Sequence, residues 1–263
     1  MKKAYVVVVL VLVAVLAVGL VGFVLLGQQV LPQSSVAVNY GFSVVATFPH
    51  DAGAWTEGLA FSSGSLYEGT GEYGTSELRR VDLASGEVLQ TLHLSSELYG
   101  EGIAVVRDSI VQLTWENQVG FVYDKQTFGL ERNFSYSGEG WGLTFDGANL
   151  IMSDGSDKLT FLDPATFHVV RQVSVHDGNV SVTKINELEY VNGDVYANIW
   201  EAGKIAIINP ESGVVKGWVD LGSLEGALTY QANGIAYDQQ SGKLYLTGKN
   251  WQHLYEITLK PQT

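Results

Sequence analysis

Two hydrophobic patterns divide the chain. Residues 4–26 form an uncharged apolar run preceded by Lys2 and Lys3, long enough to cross a bilayer core as a helix. From residue 40 onward the apolar positions come in short alternating runs bounded by Gly, Asp and Asn, the period-two pattern of half-buried strands. No Lys or Arg occurs between Lys3 and Arg79, so the positive-inside rule puts the N-terminus in the cytoplasm and the strand-rich part outside. The flank from Gly27 to Pro32 has no A-x-A cleavage pattern, which favours an uncleaved signal anchor over a signal peptide; cleavage would instead release a secreted form. The expected organisation is a transmembrane anchor over 1–32, a short polar tether over 33–39 and a membrane-anchored, extracytoplasmic domain over 40–263.

Within that domain one unit recurs. Its openings are WTEGLAF from Trp55, YGEGIAV from Tyr99, GEGWGLTF from Gly138, INELEYV from Ile185 and ANGIAYD from Ala232. Second strands follow as SLYEGTG, SIVQLTW, NLIMSDG, DVYANIW and KLYLTGKNW. Third strands end in turns such as VDLASG and DPATF, where Asp accepts backbone hydrogen bonds and Gly takes positive φ. The marker residues Glu57, Glu101, Glu139, Glu187 and Asn233 stand 44, 38, 48 and 46 apart, the period of a four-stranded propeller blade. The first four units carry a fourth strand and the fifth does not. Residues 40–48 (YGFSVVATF) alternate like a strand and belong to no unit, so they are expected to supply the missing outer strand and close the ring, which removes exposed edges. The predicted fold class is all-β: a five-bladed β-propeller preceded by one N-terminal transmembrane helix.

Composition agrees and narrows the chemistry. Thirty Gly, 13 Tyr and five Pro suit tight turns between aromatic-rich strands rather than a helical bundle. The absence of cysteine removes disulfides, thiol catalysis and a lipidated cysteine anchor. Fifteen Lys plus Arg against 28 Asp plus Glu give a net charge of -13, which argues against a nucleic-acid partner, because phosphate contacts need a basic face, and favours a cationic one. The five histidines lack zinc-site spacing and no G-x-S-x-G elbow occurs, so neither a metal nor another cofactor is expected. The expected oligomeric state is a monomer.

In a propeller the innermost strands line the axis, so a side chain repeated at their starts forms a ring at one mouth. Here the ring is Glu57, Glu101, Glu139, Asn186 or Glu187, and Asn233. Carboxylates held this close repel, and one is expected to keep a proton or bind a cation, which suits acid/base chemistry. The plainer alternative is that each Glu receives backbone amides of a neighbouring blade. Trp115, Trp200 and Trp251 end or follow second strands, and Trp55 and Trp141 flank first strands; they either pack between blades or form an amine-tolerant cage at the same mouth. Trp218, in a fourth strand, reads as structural. Lys249 is a lone cation at that mouth or a surface lysine.

The strings YGEGIAV, GEGWGLTFDG, INELEYVNGDVYANIW and LYLTGKNW, in this order, resemble the plant and bacterial type of glutaminyl cyclase, the glutamine cyclotransferases, over about residues 42–259. The resemblance implies a five-bladed propeller that converts N-terminal glutamine of peptides and proteins to pyroglutamate with release of ammonia, without a catalytic metal. It also implies Glu101 as the catalytic acid/base. Trp115, Trp141 and Trp200 fall on the family's substrate pocket. Asn186 and Lys249 fall on residues that hold and polarise the γ-carbonyl. Tyr99 stands where Phe is usual, and Trp55 and Glu57 stand in a W-T-E-G-L string where many members have F-T-Q-G-L. A carboxylate at Glu57 either holds the α-ammonium of the substrate or titrates together with Glu101. Two rivals remain open from the residues alone: a metal-dependent propeller lactonase and a non-catalytic peptide-binding propeller.

Overall fold

A computed structural model describes residues 37–224 and 231–262. The expected transmembrane anchor over 1–32 and the first part of the tether lie outside the described residues. Among the described residues no helix is long and apolar enough to cross a membrane, and every regular element is a strand.

Among the described residues the first element is β1 (Val38–Pro49), two residues earlier than the strand expected from residue 40, so the last two tether positions are paired. Four strands then make one antiparallel sheet: β2 (Thr56–Ser62), β3 (Ser65–Thr70), β4 (Glu77–Val81) and β5 (Val88–His93). A second sheet holds β6 (Gly100–Val106), β7 (Ser109–Thr114), β8 (Val119–Asp124) and β9 (Leu130–Ser135). A third holds β10 (Leu143–Phe145), β11 (Leu150–Met152), β12 (Lys158–Leu162) and β13 (Val169–Ser174). A small hairpin, β14 (His176–Asp177) with β15 (Val180–Ser181), follows. Among the described residues this hairpin has no counterpart in the other units, and it accounts for part of the long 48-residue spacing. The rest is one eight-stranded sheet: β16 (Ile185–Val191), β17 (Asp194–Ile199), β18 (Lys204–Ile208) and β19 (Val215–Asp220), then β1, then β22 (His253–Pro261), β21 (Lys243–Gly248) and β20 (Ala232–Asp238).

β1 is the seam of that sheet. It pairs antiparallel with β22, from Tyr40 opposite Pro261 to Pro49 opposite His253, and at its start parallel with β19. β1 thus completes the set formed by β20, β21 and β22, as the unpaired run at 40–48 predicts.

The innermost strands contact one another in cyclic order: β2 with β6, β6 with β10, β10 with β16, β16 with β20 and β20 with β2. The apolar core follows the same cycle. Ala104, Val111 and Leu113 pack against Leu143, Leu150 and Met152. Leu59, Leu66 and Val81 pack against Ala236, Tyr245 and Leu254, which joins the last sheet to the first. The fold is all-β and propeller-like. The Asp turns behave as read: Asp82, Asp124 and Asp163 each accept a backbone N–H at 2.8 Å from the residue three positions on.

Candidate active site

Four innermost strands break register near their starts. The ladder steps from Thr56 to Gly58 in β2, from Gly100 to Ile103 in β6, from Ile185 to Leu188 in β16 and from Ala232 to Ile235 in β20. Glu57, Glu101, Asn186 and Asn233 sit in these bulges. A bulge re-aims a side chain and ends pairing locally, which turns these four toward one end of the inner strands. The glycine beside the acid has a separate task. Gly102 donates its N–H to the Trp141 carbonyl at 2.8 Å, and a Cβ on it would lie 2.5 Å from that oxygen. At Gly142 a Cβ would lie 2.1 Å from the Asn186 carbonyl oxygen. The glycines let consecutive inner strands approach closely where the polar residues turn inward.

The structure brings all nine site residues named from the sequence to one cavity of about 260 Å³. Its floor is polar and buried: Glu57, Glu101, Asn186 and Lys249. Its wall is aromatic and partly open: Trp55, Tyr99, Trp115, Trp141 and Trp200. Tyr99 meets Trp115 edge-on at 5.6 Å, and Trp141 meets Trp200 at 5.6 Å and 90°.

Glu57 is saturated with donors. Lys249 Nζ donates to its Oε1 at 2.7 Å, the Tyr99 hydroxyl at 3.1 Å, and Asn233 Nδ2 donates to Oε2 at 2.9 Å. Burial pushes this carboxyl above its usual range, while the Lys249 ammonium and these donors pull against it. Glu101 is the opposite case, since its Oε2 is buried and receives no hydrogen bond. Burial first, and then the Glu57 charge, hold its carboxyl well above the ordinary range, with Glu139 adding to the shift and Lys249 opposing it. Burial and the neighbouring carboxylates Glu57 and Glu101 push the Tyr99 hydroxyl far up, so it remains a neutral donor. Asn186 Oδ1 is likewise buried and unpartnered.

The remaining ring members do not line the cavity. Glu139 accepts the indole N–H groups of Trp115 and Trp141 on one oxygen, at 2.7 and 2.8 Å, and so fixes two walls. Glu187 accepts the backbone N–H of Leu59 at 3.2 Å and of Ile235 at 2.9 Å, which is the plainer reading realised; of the pair Asn186 or Glu187, Asn186 faces the cavity. Asn233 supports Glu57. Trp251 is 1% exposed in the core, not in the cage. Trp218 is structural as expected, its indole donating to Asp177 at 2.9 Å. Sequence reasoning missed the bridging role of Glu139. Its one signal is the two-residue offset from Trp141, which puts both on the same side of an extended chain. Among the described residues no three His, Asp or Glu side chains gather to hold a metal ion.

A profile described as glutamine cyclotransferase matches residues 15–259. A glutaminyl-peptide cyclotransferase of Arabidopsis thaliana is 38% identical over 226 residues, which span 82% of this chain and 71% of that protein. The crystal structure of Myxococcus xanthus glutaminyl cyclase superposes with a TM-score of 0.80 at 35% identity, covering 86% of this chain and 100% of that one.

Proposed function

The chain belongs to the glutamine cyclotransferase family, and from that premise we propose that it cyclises N-terminal glutamine of peptides and proteins to pyroglutamate, with Glu101 as the single acid/base. The observation that carries the mechanism is Glu101 Oε2, buried and without a partner in an aromatic cage. The α-amine attacks the side-chain amide carbon; a C–N bond forms, the bond to the amide nitrogen breaks, and ammonia leaves. Only a neutral amine can attack, and with its pKa of about 7.7–8.0 a carboxylate raised by burial is a well-matched base. Glu101 takes the amine proton and returns it to the departing nitrogen. Asn186 holds the side-chain carbonyl as its oxygen gains charge. Lys249, with one N–H committed to Glu57, has two more to offer beside it. Glu57, already occupied, serves the cage as a fixed anion rather than as the ammonium clamp.

The cyclic order of inner strands and the closing strand β1 support five blades of four strands. The uncharged run over 4–26 supports membrane anchoring with the propeller outside; protease added to intact cells is expected to reach the propeller, and full protection would contradict that placement. The metal-dependent lactonase alternative is separated by the chelator in the test below, which would abolish a lactonase and spare the cyclase.

The test is the full-length protein with a Gln-initiated peptide and a chelator, with ammonia and pyroglutamate as products. Glu101→Gln is expected to lower turnover by about 10²–10⁴ without lowering the unfolding temperature. Retained turnover in the variant, or no pyroglutamate from wild type, refutes the mechanism.

A further inference from the structure

The cavity of about 260 Å³ falls below the range of pockets that enclose a whole drug-sized ligand, about 300–1,000 Å³. With the N-terminal residue seated on the polar floor, the second residue of a peptide continues toward the rim. One rim segment is built for contact. Residues 71–76 (GEYGTS) leave β3 against the cage. The Gly71 N–H donates to the Trp55 carbonyl at 2.8 Å, and a Cβ on Gly71 would lie 2.5 Å from the Tyr99 ring and 2.9 Å from Glu57 Cγ. Glu72 holds a left-handed φ of 81°, a conformation that persists in a non-glycine residue only where the surroundings enforce it. Here they do. Its carbonyl accepts from the Ser76 hydroxyl at 2.7 Å and the Thr75 N–H at 3.2 Å, and the Ser76 hydroxyl accepts the Gly100 N–H at 2.9 Å. Gly100 lies between Tyr99 and Glu101, so the loop is tied to the strand that carries the acid/base.

This fixed loop presents Tyr73 to solvent. The ring is 50% exposed and meets Tyr99 edge-on at 5.4 Å, outside the cavity but continuous with its wall. The adjacent Glu72 carboxylate is exposed, as is Glu116 beside Trp115. Among the described residues no Lys or Arg lies over the Tyr73 ring. Trp200, also exposed, is already occupied: Lys184 Nζ sits 5.2 Å from its centroid and pairs with Glu201. An open aromatic ring next in the chain to an exposed carboxylate whose charge reaches the Tyr99 hydroxyl favours a cation, and the net charge of -13 steers cationic peptides toward the protein.

We propose that Tyr73 and Glu72 form the subsite for the second residue of the substrate, and that this subsite takes lysine or arginine. The inference rests on the cyclase reading above, and the probes separate the two. Glutamine amide has no second residue and reports the cage alone; Gln-Arg-NH₂, Gln-Glu-NH₂ and Gln-Phe-NH₂ report the rim. Full-length wild type is expected to favour Gln-Arg-NH₂ over Gln-Glu-NH₂ through KM, with the preference shrinking as salt rises. Tyr73→Ala is expected to lower kcat/KM for Gln-Arg-NH₂ by about two- to fivefold, the scale of an exposed cation–π contact, and to leave glutamine amide unchanged. Tyr73→Phe keeps the preference, and Glu72→Gln weakens it and its salt dependence. Equal loss on glutamine amide and Gln-Arg-NH₂, or no loss on either, overturns the subsite. A preference for Gln-Phe-NH₂ over Gln-Arg-NH₂ overturns its charge selectivity. Wild type inert toward glutamine amide and all three dipeptides refutes the cyclase reading itself, and the subsite falls with it.

Discussion

Replacing Glu57 by Gln tests how the cage sets its own base. The Lys249 ammonium lies 2.7 Å from Glu57 Oε1, an attraction of about 6 kcal/mol at an effective dielectric of about 20. Part of this is offset by desolvation, and removing one partner of a buried pair costs about 3–5 kcal/mol. The new amide can still accept from Lys249 and Tyr99 but turns an N–H toward Asn233 Nδ2, now a donor to Glu57 at 2.9 Å. Asn233 Oδ1 is buried and unpartnered, so a flip of that side chain offers an acceptor, at the expense of its bond to the Thr56 carbonyl. For Glu101 both consequences have one sign: the repelling anion is gone, and Lys249 is freed to act on it. Its carboxyl is expected to fall back toward the ordinary range, because the like charge that raises it is removed and the opposing cation is left nearby. The assay is kcat/KM for both proteins from about pH 5 to about pH 9, taken as a ratio so that the substrate's own amine titration divides out. At high pH Glu57→Gln, with a weaker base, is expected to be slower than wild type. As pH falls, the ratio is expected to climb, by about tenfold or more, because the variant keeps its base ionised where wild type does not. A ratio flat across pH would refute the idea that Glu57 holds Glu101 up.

Glu139→Ala removes one acceptor from two indoles and is expected to raise KM more than it lowers kcat, by roughly tenfold, since a hydrogen bond to a charged group contributes about 1.5–3 kcal/mol; an unchanged KM would show that packing alone fixes Trp115 and Trp141. Glu189 is raised by burial from an ordinary 4.5 to about 8, against the hydrogen bonds it accepts from Tyr237 and Thr144. A carboxyl raised in the folded state contributes stability that is full below about 4.5 and lost as pH rises through about 8. Glu189→Gln is therefore expected to gain over wild type in denaturant unfolding at about pH 9, by up to about 5 kcal/mol, and to match it near pH 4; an equal difference at both pH values would count against it.

What could be read from the sequence followed the regularity of the strands, and what could not followed its interruption. The repeated openings predict innermost strands, and the orphan run at 40–48 predicts the partner of β22. Alternation does not decide between Asn186 and Glu187, because it assigns sides only while the register holds. Between Ile185 and Leu188 it does not, and a bulge cancels the parity that the argument needs. Trp200 and Trp251 look equivalent, each following a second strand. One ends 40% exposed at the cage and the other 1% exposed in the core, a difference set by packing against Gly248 and Tyr255 that no local pattern encodes. The pairing of Lys249 with Glu57 spans 192 residues, and either residue alone reads as a surface charge or a substrate ligand.

That long-range pair also gives the N-terminal strand a second task. β1 ends beside His50, whose Nδ1 meets the Trp251 carbonyl at 2.7 Å and whose Nε2 meets Glu68 Oε1 at 2.9 Å. Burial works against charge on this imidazole, but Glu68 and the Trp251 carbonyl outweigh it and raise its pKa. With acceptors on both nitrogens, the ring is held as the cation. Glu68, pushed up by burial but pulled further down by His50 and Arg79, also accepts the Thr56 hydroxyl at 2.7 Å. Thr56 precedes Glu57; Trp251 lies two residues beyond Lys249. The ion pair is therefore flanked on both sides by residues that the closing strand anchors. Closing the ring through β1 and fixing the charge opposite Glu101 are one structural event, because the chain segments that carry Glu57 and Lys249 come together only when the first sheet and the last are joined.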